Sequence, residues 1–245
     1  MLFLTAGGLI SNAYAEQVTV YVPPVGDPDK TPPFTSCLHA GYWRSIGWVG
    51  STNIFIGGMS GTHYNAYCIQ YDAYLYGGYE YVAQVIPASD TPQNRSISYI
   101  LTWYHSSSIT DDEGFAIQCA IWKYATGADP TGTCGISKSL ASYIYGNASG
   151  KDVVRPGDTL TLTPNNTAVP VGVPQVITAK VANTLGTGRP GVKVLFSTDF
   201  GTLDKIEGIT DANGEVKVTI MSSIAGEAKV TALTKGAWAH ICLLY

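Results

Sequence analysis

Short runs in which apolar and polar residues alternate dominate the second half of the chain and constrain its fold more than any other feature. Alternation with a period of two places apolar side chains on one face of a strand and polar side chains on the other. The runs are Val176–Val181, Val192–Phe196, Val216–Ile220 and Ala228–Ala232. Between them, Gly188–Gly191 and Asp211–Gly214 contain the residues that tight turns favour. Several short strands at regular spacing predict an antiparallel β-sandwich.

These strands and turns resemble the bacterial immunoglobulin-like domains of group 1, which are the stalk repeats of invasin- and intimin-type adhesins. The resemblance covers roughly residues 158–236 and is carried by Ile177–Val181, Gly191–Ser197, Gly201–Leu203, Thr210–Val216 and Ala225–Ala232. It implies an immunoglobulin-like sandwich that serves as a spacer or docking module and has no catalytic residues. We assign residues 158–245 to this stalk domain.

A change of composition near residue 150 indicates a domain boundary. Most of the 16 Tyr and 5 Trp precede it, whereas Gly, Ser and Pro are concentrated around it. We predict a first domain at residues 16–150 and a linker at 151–157, because Gly- and Pro-rich stretches break regular structure. The predicted fold class is mainly β, with an N-terminal α+β domain followed by a C-terminal immunoglobulin-like β-sandwich.

The first residues predict an export signal. An apolar stretch, Leu2–Ile10, is followed by Ala13-Tyr14-Ala15, a small-x-small cleavage pattern. The alternative is that this stretch forms an apolar first strand of the fold. With a signal at residues 1–15, the protein is expected outside the cell or on its surface. No later run approaches the roughly 18 apolar residues that a membrane-spanning helix needs, so no span is predicted.

The charge pattern argues against a nucleic-acid partner. The formal net charge is −4, charged residues make up 13% of the chain, and no run of Lys and Arg occurs. A basic patch is the electrostatic footprint that nucleic-acid binding requires. We predict no such partner.

The 5 cysteines leave at least one thiol outside any intramolecular disulfide. Cys119, Cys134 and Cys37 are the candidates for disulfide formation, and the sequence leaves their pairing open. No Cys-x-x-Cys pair occurs and the 4 His are scattered. We therefore predict neither a metal site nor a cofactor.

Two segments of the first domain have helical spacing. Ser96–Tyr104 and Gly114–Ala125 repeat apolar residues every three or four positions. Acidic residues 111–113 precede the second segment, where they favour the positive end of a helix. Gln118 and Trp122 lie four residues apart and are predicted one turn above each other on one face.

A cysteine and a glutamine in this domain resemble the reactive pair of the thioester domains of Gram-positive surface adhesins. Ala66–Ile69 places Cys68 after an aromatic residue, and Ile117–Trp122 has the form apolar-Gln-x-x-apolar-Trp. The resemblance covers roughly residues 35–130. It implies that Cys68 is the thioester sulfur, that Gln118 is the acyl donor and that Trp122 packs the helix motif. Gln70 is a weaker acyl donor, because the Cys-Gly-Glu-Gln arrangement of complement-type thioesters is missing.

Aromatic residues and histidines near these motifs are candidates for the rest of the site. A low-polarity pocket could slow hydrolysis of a thioester by excluding water, and its predicted lining residues are Tyr64, Tyr67, Trp122 and Tyr124. His63 and His105 are candidate bases for an incoming amine.

The predicted function is a surface adhesin that captures an amine-bearing protein or a polyamine-like target by forming an amide at Gln118. Such chemistry occurs once per molecule, so the protein is not expected to be an enzyme. The first alternative is a non-covalent binding module, in which Cys68 is a core or disulfide cysteine and Tyr residues supply contact area. A second is a hydrolase or transamidase that uses Cys68 as nucleophile with His63 or His105 as base. A third is a structural subunit of a surface layer or filament.

Overall fold

The computed structural model describes residues 2–4, 16–22, 52–56, 58–69, 78–87, 89–106, 110–128, 138–236 and 240–244. The chain divides into two compact units. The first unit contains residues 1–149 together with 237–245, and the second contains residues 150–236.

In its described residues, the first unit contains a closed barrel of six strands, together with three helices. The strands are β1 (Leu2–Leu4), β2 (Glu16–Val22), β3 (Thr52–Ile56), β4 (Thr62–Cys68), β5 (Tyr79–Pro87) and, from the end of the chain, β13 (His240–Leu244). Around the barrel they follow the order β1, β13, β5, β2, β3 and β4. Every neighbouring pair is antiparallel.

The two ends of the chain meet in this barrel. Strand β1 pairs with β4 on one side and with β13 on the other. Residues 2–4, predicted to belong to an export signal, thus form a strand, the alternative that the sequence left open. Residues 240–244 were expected in the stalk domain, whereas here they pair with β1 and β5. The predicted stalk boundary at residue 245 therefore differs from the observed boundary at residue 236.

The three helices are α1 (Pro92–Trp103), α2 (Asp111–Thr126) and α3 (Lys138–Ala148). Helix α2 begins with a capping box, because Thr110 and Glu113 each accept from the other's backbone N–H. It ends at Gly127, whose φ of 75° is the left-handed conformation that glycine adopts without strain. Both predicted helices are present, each beginning three or four residues earlier than the apolar spacing indicated. Helix α3 was not predicted.

The second unit is a β-sandwich. One sheet has the order β6 (Thr159–Pro164), β7 (Gln175–Ala182), β11 (Glu215–Met221) and β9 (Thr202–Leu203). The other has the order β10 (Glu207–Ile209), β8 (Lys193–Thr198) and β12 (Val230–Leu233). Alternate residues of these strands form the core, which contains Ile177, Ala179, Val181, Val192, Val194, Phe196, Val216, Val218 and Ile220. The alternation predicted from the sequence is therefore the alternation between core and surface.

The segment predicted as a linker, 151–157, packs against this sandwich. Asp152 forms a parallel bridge with Val192, and Val153 is fully buried. Arg155 lies 3.2 Å from a carboxylate oxygen of Asp152, and Arg189 forms an ion pair with Asp158. Because both carboxylates are almost completely buried, these ion pairs tie the segment to the body of the second unit.

Candidate functional site

The side chain of Gln118 binds the backbone of Cys68 through two hydrogen bonds. The Cys68 N–H donates to Oε1 of Gln118 at 2.9 Å, and Nε2 of Gln118 donates to the Cys68 carbonyl oxygen at 2.6 Å. Gln118 lies in the middle of α2 and is only 1% exposed, whereas Cys68 ends β4 and is half-buried. The structure thus brings together the two residues of the predicted reactive pair, which are fifty positions apart.

This contact lies on the β3 side of strand β4, beyond the pair of Thr52 with Ala66. Strand β3 begins at Thr52, opposite Ala66, and β1 pairs along the other edge of β4 with Leu2 opposite Cys68. In an antiparallel ladder, the N–H and C=O of one residue point to the same edge of the strand. Because both groups of Cys68 bond to Gln118, the glutamine amide continues the β4 ladder beyond the last pair with β3.

The chemistry of the partners decides the orientation of the Gln118 amide. A backbone N–H can only donate and a backbone C=O can only accept. The oxygen of the amide must therefore face the Cys68 N–H, and its NH2 group must face the Cys68 C=O. The two bonds close a ring in which the amide carbon, Cδ, lies across from the Cα of Cys68. The residue that carries the thiol therefore faces the carbon that a nucleophile would attack.

Tyr67 and His105 form a second contact beside this pair. The Tyr67 side chain is completely buried, and its hydroxyl lies 2.8 Å from Nδ1 of His105, just beyond α1. The two rings meet edge to face, with centroids 5.6 Å apart. Burial lowers the pKa of His105, which favours the neutral imidazole at neutral pH. Of the two predicted base candidates, His105 is thus hydrogen-bonded to the residue next to Cys68.

The other predicted pocket residues differ in position. Trp122 is 8% exposed and follows Gln118 by one turn of α2, as predicted. Tyr124 belongs to another face of that helix, since its hydroxyl donates to the carbonyl oxygen of Tyr145 at 2.7 Å and the two rings lie 4.4 Å apart. The structure therefore places Tyr124 against α3 and not beside Gln118.

Several predicted residues lie outside the part of the chain that the structure describes. Cys37, Cys134 and Gln70 belong to undescribed segments, and the side chains of His63 and Tyr64 are likewise outside it. Cys119 is described and is 1% exposed in the core of the first unit. Disulfide formation by Cys119, Cys134 and Cys37 consequently stays a prediction, as does a role for His63 or Tyr64.

Sequence reasoning missed the groups that hold Gln118, because they belong to the backbone of Cys68. A backbone N–H and C=O are present at nearly every residue, so no residue type indicates which pair will bind a side chain. The bond between Tyr67 and His105 was missed for a related reason. Both residues were candidates, but nothing in the sequence indicated that their side chains meet.

Two further properties concern the described residues alone. No group of three or more His, Cys, Asp or Glu side chains among them has the arrangement of a metal site. None of the helices in these ranges is long and apolar enough to cross a membrane.

Comparison with known proteins gives one family match, and it includes most of the second unit. Residues 158–240 match the model of the bacterial Ig-like domain (group 1). Among solved structures, the chain is similar to the D0–D1 domain of intimin at 24% identity, covering 36% of this chain and 49% of that chain with a TM-score of 0.28. The D00–D0 domain of intimin is similar at 23% identity, covering 40% and 51% with a TM-score of 0.31.

A third similar structure is a C-terminal 282-residue fragment of intimin in complex with the intimin-binding domain of the translocated intimin receptor. Its identity is 27% over 31% of this chain and 28% of that chain, with a TM-score of 0.28. The chain thus spans about half or less of the length of each of these structures. No curated protein sequence matches the chain. The sandwich of the second unit is accordingly a bacterial immunoglobulin-like domain of group 1.

Proposed function

We propose that the protein is a surface adhesin that captures a target amine covalently through a thioester between Cys68 and Gln118. The observation that carries the proposal is the pair of hydrogen bonds, at 2.9 and 2.6 Å, between the buried Gln118 amide and the Cys68 backbone. A buried amide is usually satisfied by some partner. Here the partner is a residue that carries a thiol, the group that would attack the amide.

The geometry supports attack by the thiol. The two hydrogen bonds lie in the plane of the amide and continue the ladder of the sheet, so the faces of the amide point out of the sheet. Side chains of strand residues also project out of the sheet. A thiol on Cys68 would therefore approach the Gln118 carbonyl carbon from one face of the amide.

The proposed step balances without another reactant. The Cys68 thiolate attacks Cδ of Gln118, a C–S bond forms, and the carbonyl electrons move to Oε1. When the intermediate collapses, the C–N bond breaks and Nε2 leaves as ammonia, which takes up the proton of the thiol. The Cys68 N–H stabilises the negative oxygen of the intermediate, as an oxyanion-hole donor does.

Burial would protect the product from water. Gln118 is 1% exposed, and both Tyr67, which precedes Cys68, and Trp122, one turn beyond Gln118, are buried. A thioester is reactive because a thiolate is a good leaving group, so exclusion of water slows its hydrolysis. The target amine then takes the acyl group, and Cys68 is released as a thiol. Because the amide is stable, each molecule would react once, and we propose no enzymatic turnover.

The second unit supports the location of this activity. Group 1 immunoglobulin-like domains are cell-surface adhesion modules. A reactive domain on such a module would meet targets outside the cell. We propose an amine-bearing protein or a polyamine-like molecule as the partner, since only the amine is required by the chemistry.

Intact mass spectrometry of the whole chain, before and after methylamine, tests the proposal. The mass should be short by one ammonia beyond any disulfide hydrogens, and methylamine should add at Gln118 as located by peptide mapping. Cys68→Ala keeps the backbone groups that bind Gln118 but removes the thiol, so both signals should disappear. Cys119→Ala is the matched control, because it removes a buried neighbouring thiol and should keep both signals.

A full-length mass unchanged by methylamine would sink the covalent mechanism. The non-covalent binding module would then be favoured, and one observation already supports it. Tyr79 and Tyr143 are 62% and 59% exposed, and exposed tyrosines are common in binding surfaces.

A further inference from the structure

We infer that the hydrogen bond between Tyr67 and His105 positions Cys68 for thioester formation. Both residues act on Cys68 through the backbone of β4, so neither has to touch the reacting atoms. The inference rests on the proposed thioester and assigns two positioning residues to it. It gives His105 a role that differs from the base predicted from the sequence.

The hydrogen bond lies on the face of β4 opposite to the thiol. Successive side chains of a strand point to opposite faces, so the side chains of Tyr67 and Cys68 point in opposite directions. The Tyr67 side chain is completely buried, and its hydroxyl lies 2.8 Å from Nδ1 of His105. The two rings meet edge to face at 86°. A contact on this face therefore affects the thiol through the strand and not directly.

The backbone connects this hydrogen bond to the Gln118 contact. The Cys68 N–H, which donates to Oε1 of Gln118 at 2.9 Å, belongs to the peptide unit that begins at the Cα of Tyr67. Because a peptide unit is planar, its N–H cannot turn independently of its C=O. Fixing the Tyr67 side chain therefore limits the directions in which the Cys68 N–H can point.

The other partner of the bond is anchored to the helices. His105 follows the end of α1, where the Tyr104 N–H donates to the carbonyl oxygen of Ile100 at 2.9 Å. The rings of Tyr104 and Tyr143 lie 6.3 Å apart, edge to face, which joins this end of α1 to α3. Helix α1 also packs against α2, the helix that carries Gln118. The bond therefore closes a loop of contacts that runs from β4 through α1 to α2 and back to β4.

Thioester formation is sensitive to such positioning. A thiol attacks an amide carbon only when the two atoms are close and aligned, and a displacement of about 1 Å can change a rate about a hundredfold. Loss of one hydrogen bond weakens a preferred arrangement about twofold to tenfold. We therefore expect loss of the bond between Tyr67 and His105 to slow thioester formation by about that factor.

Reversal by ammonia makes thioester formation measurable in the folded chain. Whole protein is treated with an ammonium salt, and neutral ammonia adds to the thioester carbon, so that Gln118 regains its amide and Cys68 its thiol. After the salt is removed, the return of the ammonia deficit is followed by intact mass. Tyr67→Phe and His105→Leu should each regain the deficit about twofold to tenfold more slowly than the unchanged protein. The double variant should be no slower than either single variant, because both changes remove the same bond.

His105→Asn separates the hydrogen bond from packing. An asparagine amide can donate or accept, as the imidazole can, whereas leucine keeps apolar volume but makes no hydrogen bond. The rate should therefore fall less in His105→Asn than in His105→Leu. Ser96→Ala is the matched control, because it removes a buried 2.8 Å hydrogen bond between α1 and α3 and should keep the original rate.

An unchanged rate in Tyr67→Phe would overturn the inference while leaving the covalent mechanism intact. The same holds if His105→Leu is faster than His105→Asn, since packing would then decide, or if Ser96→Ala is equally slow, since general stability would. If Tyr67→Phe does not fold, the order of the two variants at position 105 decides alone. A missing ammonia deficit in the untreated protein is a different failure, because it removes the thioester itself.

Discussion

Replacing Gln118 by Glu on a Cys68→Ala background tests the hydrogen-bonded ring directly. The Cys68→Ala change removes any cross-link but keeps the backbone N–H and C=O of residue 68. A protonated glutamic acid can make both bonds, because its carbonyl oxygen accepts from the N–H and its O–H donates to the C=O. A carboxylate keeps the first bond but turns a second oxygen toward the carbonyl.

The structure sets the size and sign of the effect. With the C=O 2.6 Å from Nε2 and Gln118 1% exposed, the fold favours the protonated acid, so its pKa should be raised above the unfolded value. For a raised acid pKa, the penalty is absent below the unfolded value and grows as the pH rises. Its ceiling at pH 7 is the cost of holding the proton, about 1.4 kcal/mol per unit above a pKa of about 4.3, or about 4 kcal/mol. Its floor is about 1 kcal/mol for loss of the hydrogen bond to the Cys68 carbonyl.

The assay is denaturant unfolding of the Cys68→Ala protein with and without the second substitution, at pH 4 and pH 7. Hydrogen exchange of amides in α2 and β4 assigns the change to the first unit. We expect a difference of about 1–4 kcal/mol at pH 7 and a clearly smaller one at pH 4. A difference that does not change with pH would refute the ring of hydrogen bonds as described.

Four other predictions concern particular contacts. Tyr67→Phe removes the hydroxyl that is hydrogen-bonded to His105 and should lower the free energy of unfolding by about 1–2 kcal/mol. Tyr79→Phe is the control, because that side chain is 62% exposed and its hydroxyl should matter little. Denaturant unfolding compares the two variants. Because burial lowers the pKa of His105, the neutral ring contributes its full share to the free energy of unfolding above the pKa of an unfolded histidine. That share is lost as the pH falls through the lower pKa of the folded state. An NMR titration should show a His105 pKa below that of a peptide, and a normal or raised value would contradict the burial. Thr110→Ala breaks the capping box of α2 and should cost about 1 kcal/mol, with earlier exchange of the first amides of the helix as its signature. Asp158→Asn breaks a buried ion pair with Arg189 and should lower the free energy of unfolding by about 3–5 kcal/mol. Lys180→Ala removes a half-exposed pair with Glu215 and should lower it by at most about 1 kcal/mol. Hydrogen exchange of amides in the second unit measures both.

Patterns within short stretches of sequence predicted the strands of the second unit and helix α2. In the second unit, Val216, Val218 and Ile220 alternate with Lys217 and Thr219, and these three form one row of the core. Helix α2 was predicted from apolar spacing and an acidic start, and Thr110 supplies the cap. Such signals suffice because side chains return to the same face every two residues in a strand and every 3.6 residues in a helix, so a short segment already shows the pattern.

The proposed thioester pair was predicted from a family resemblance carried by two motifs, whereas its geometry depends on the packing of α2 against β4. Nothing near Cys68 in the sequence shows that its backbone N–H and C=O bond to a side chain from α2. Tyr124 illustrates the same limit, since its preference for Tyr145 depends on α3. Contacts of this kind follow from the packing of distant segments.

The sequence by itself determined the sandwich of the second unit, the helical face that carries Gln118, and the residue types that a thioester requires. The tertiary structure alone decided that Leu2–Leu4 and His240–Leu244 are neighbouring barrel strands, that residues 151–157 pack on the sandwich, and that the Cys68 backbone holds the Gln118 amide. The physical reason is the range of the interactions. Periodicity reflects burial of one face of a single element, whereas barrel closure and ladder register satisfy hydrogen bonds between segments that are far apart in the chain.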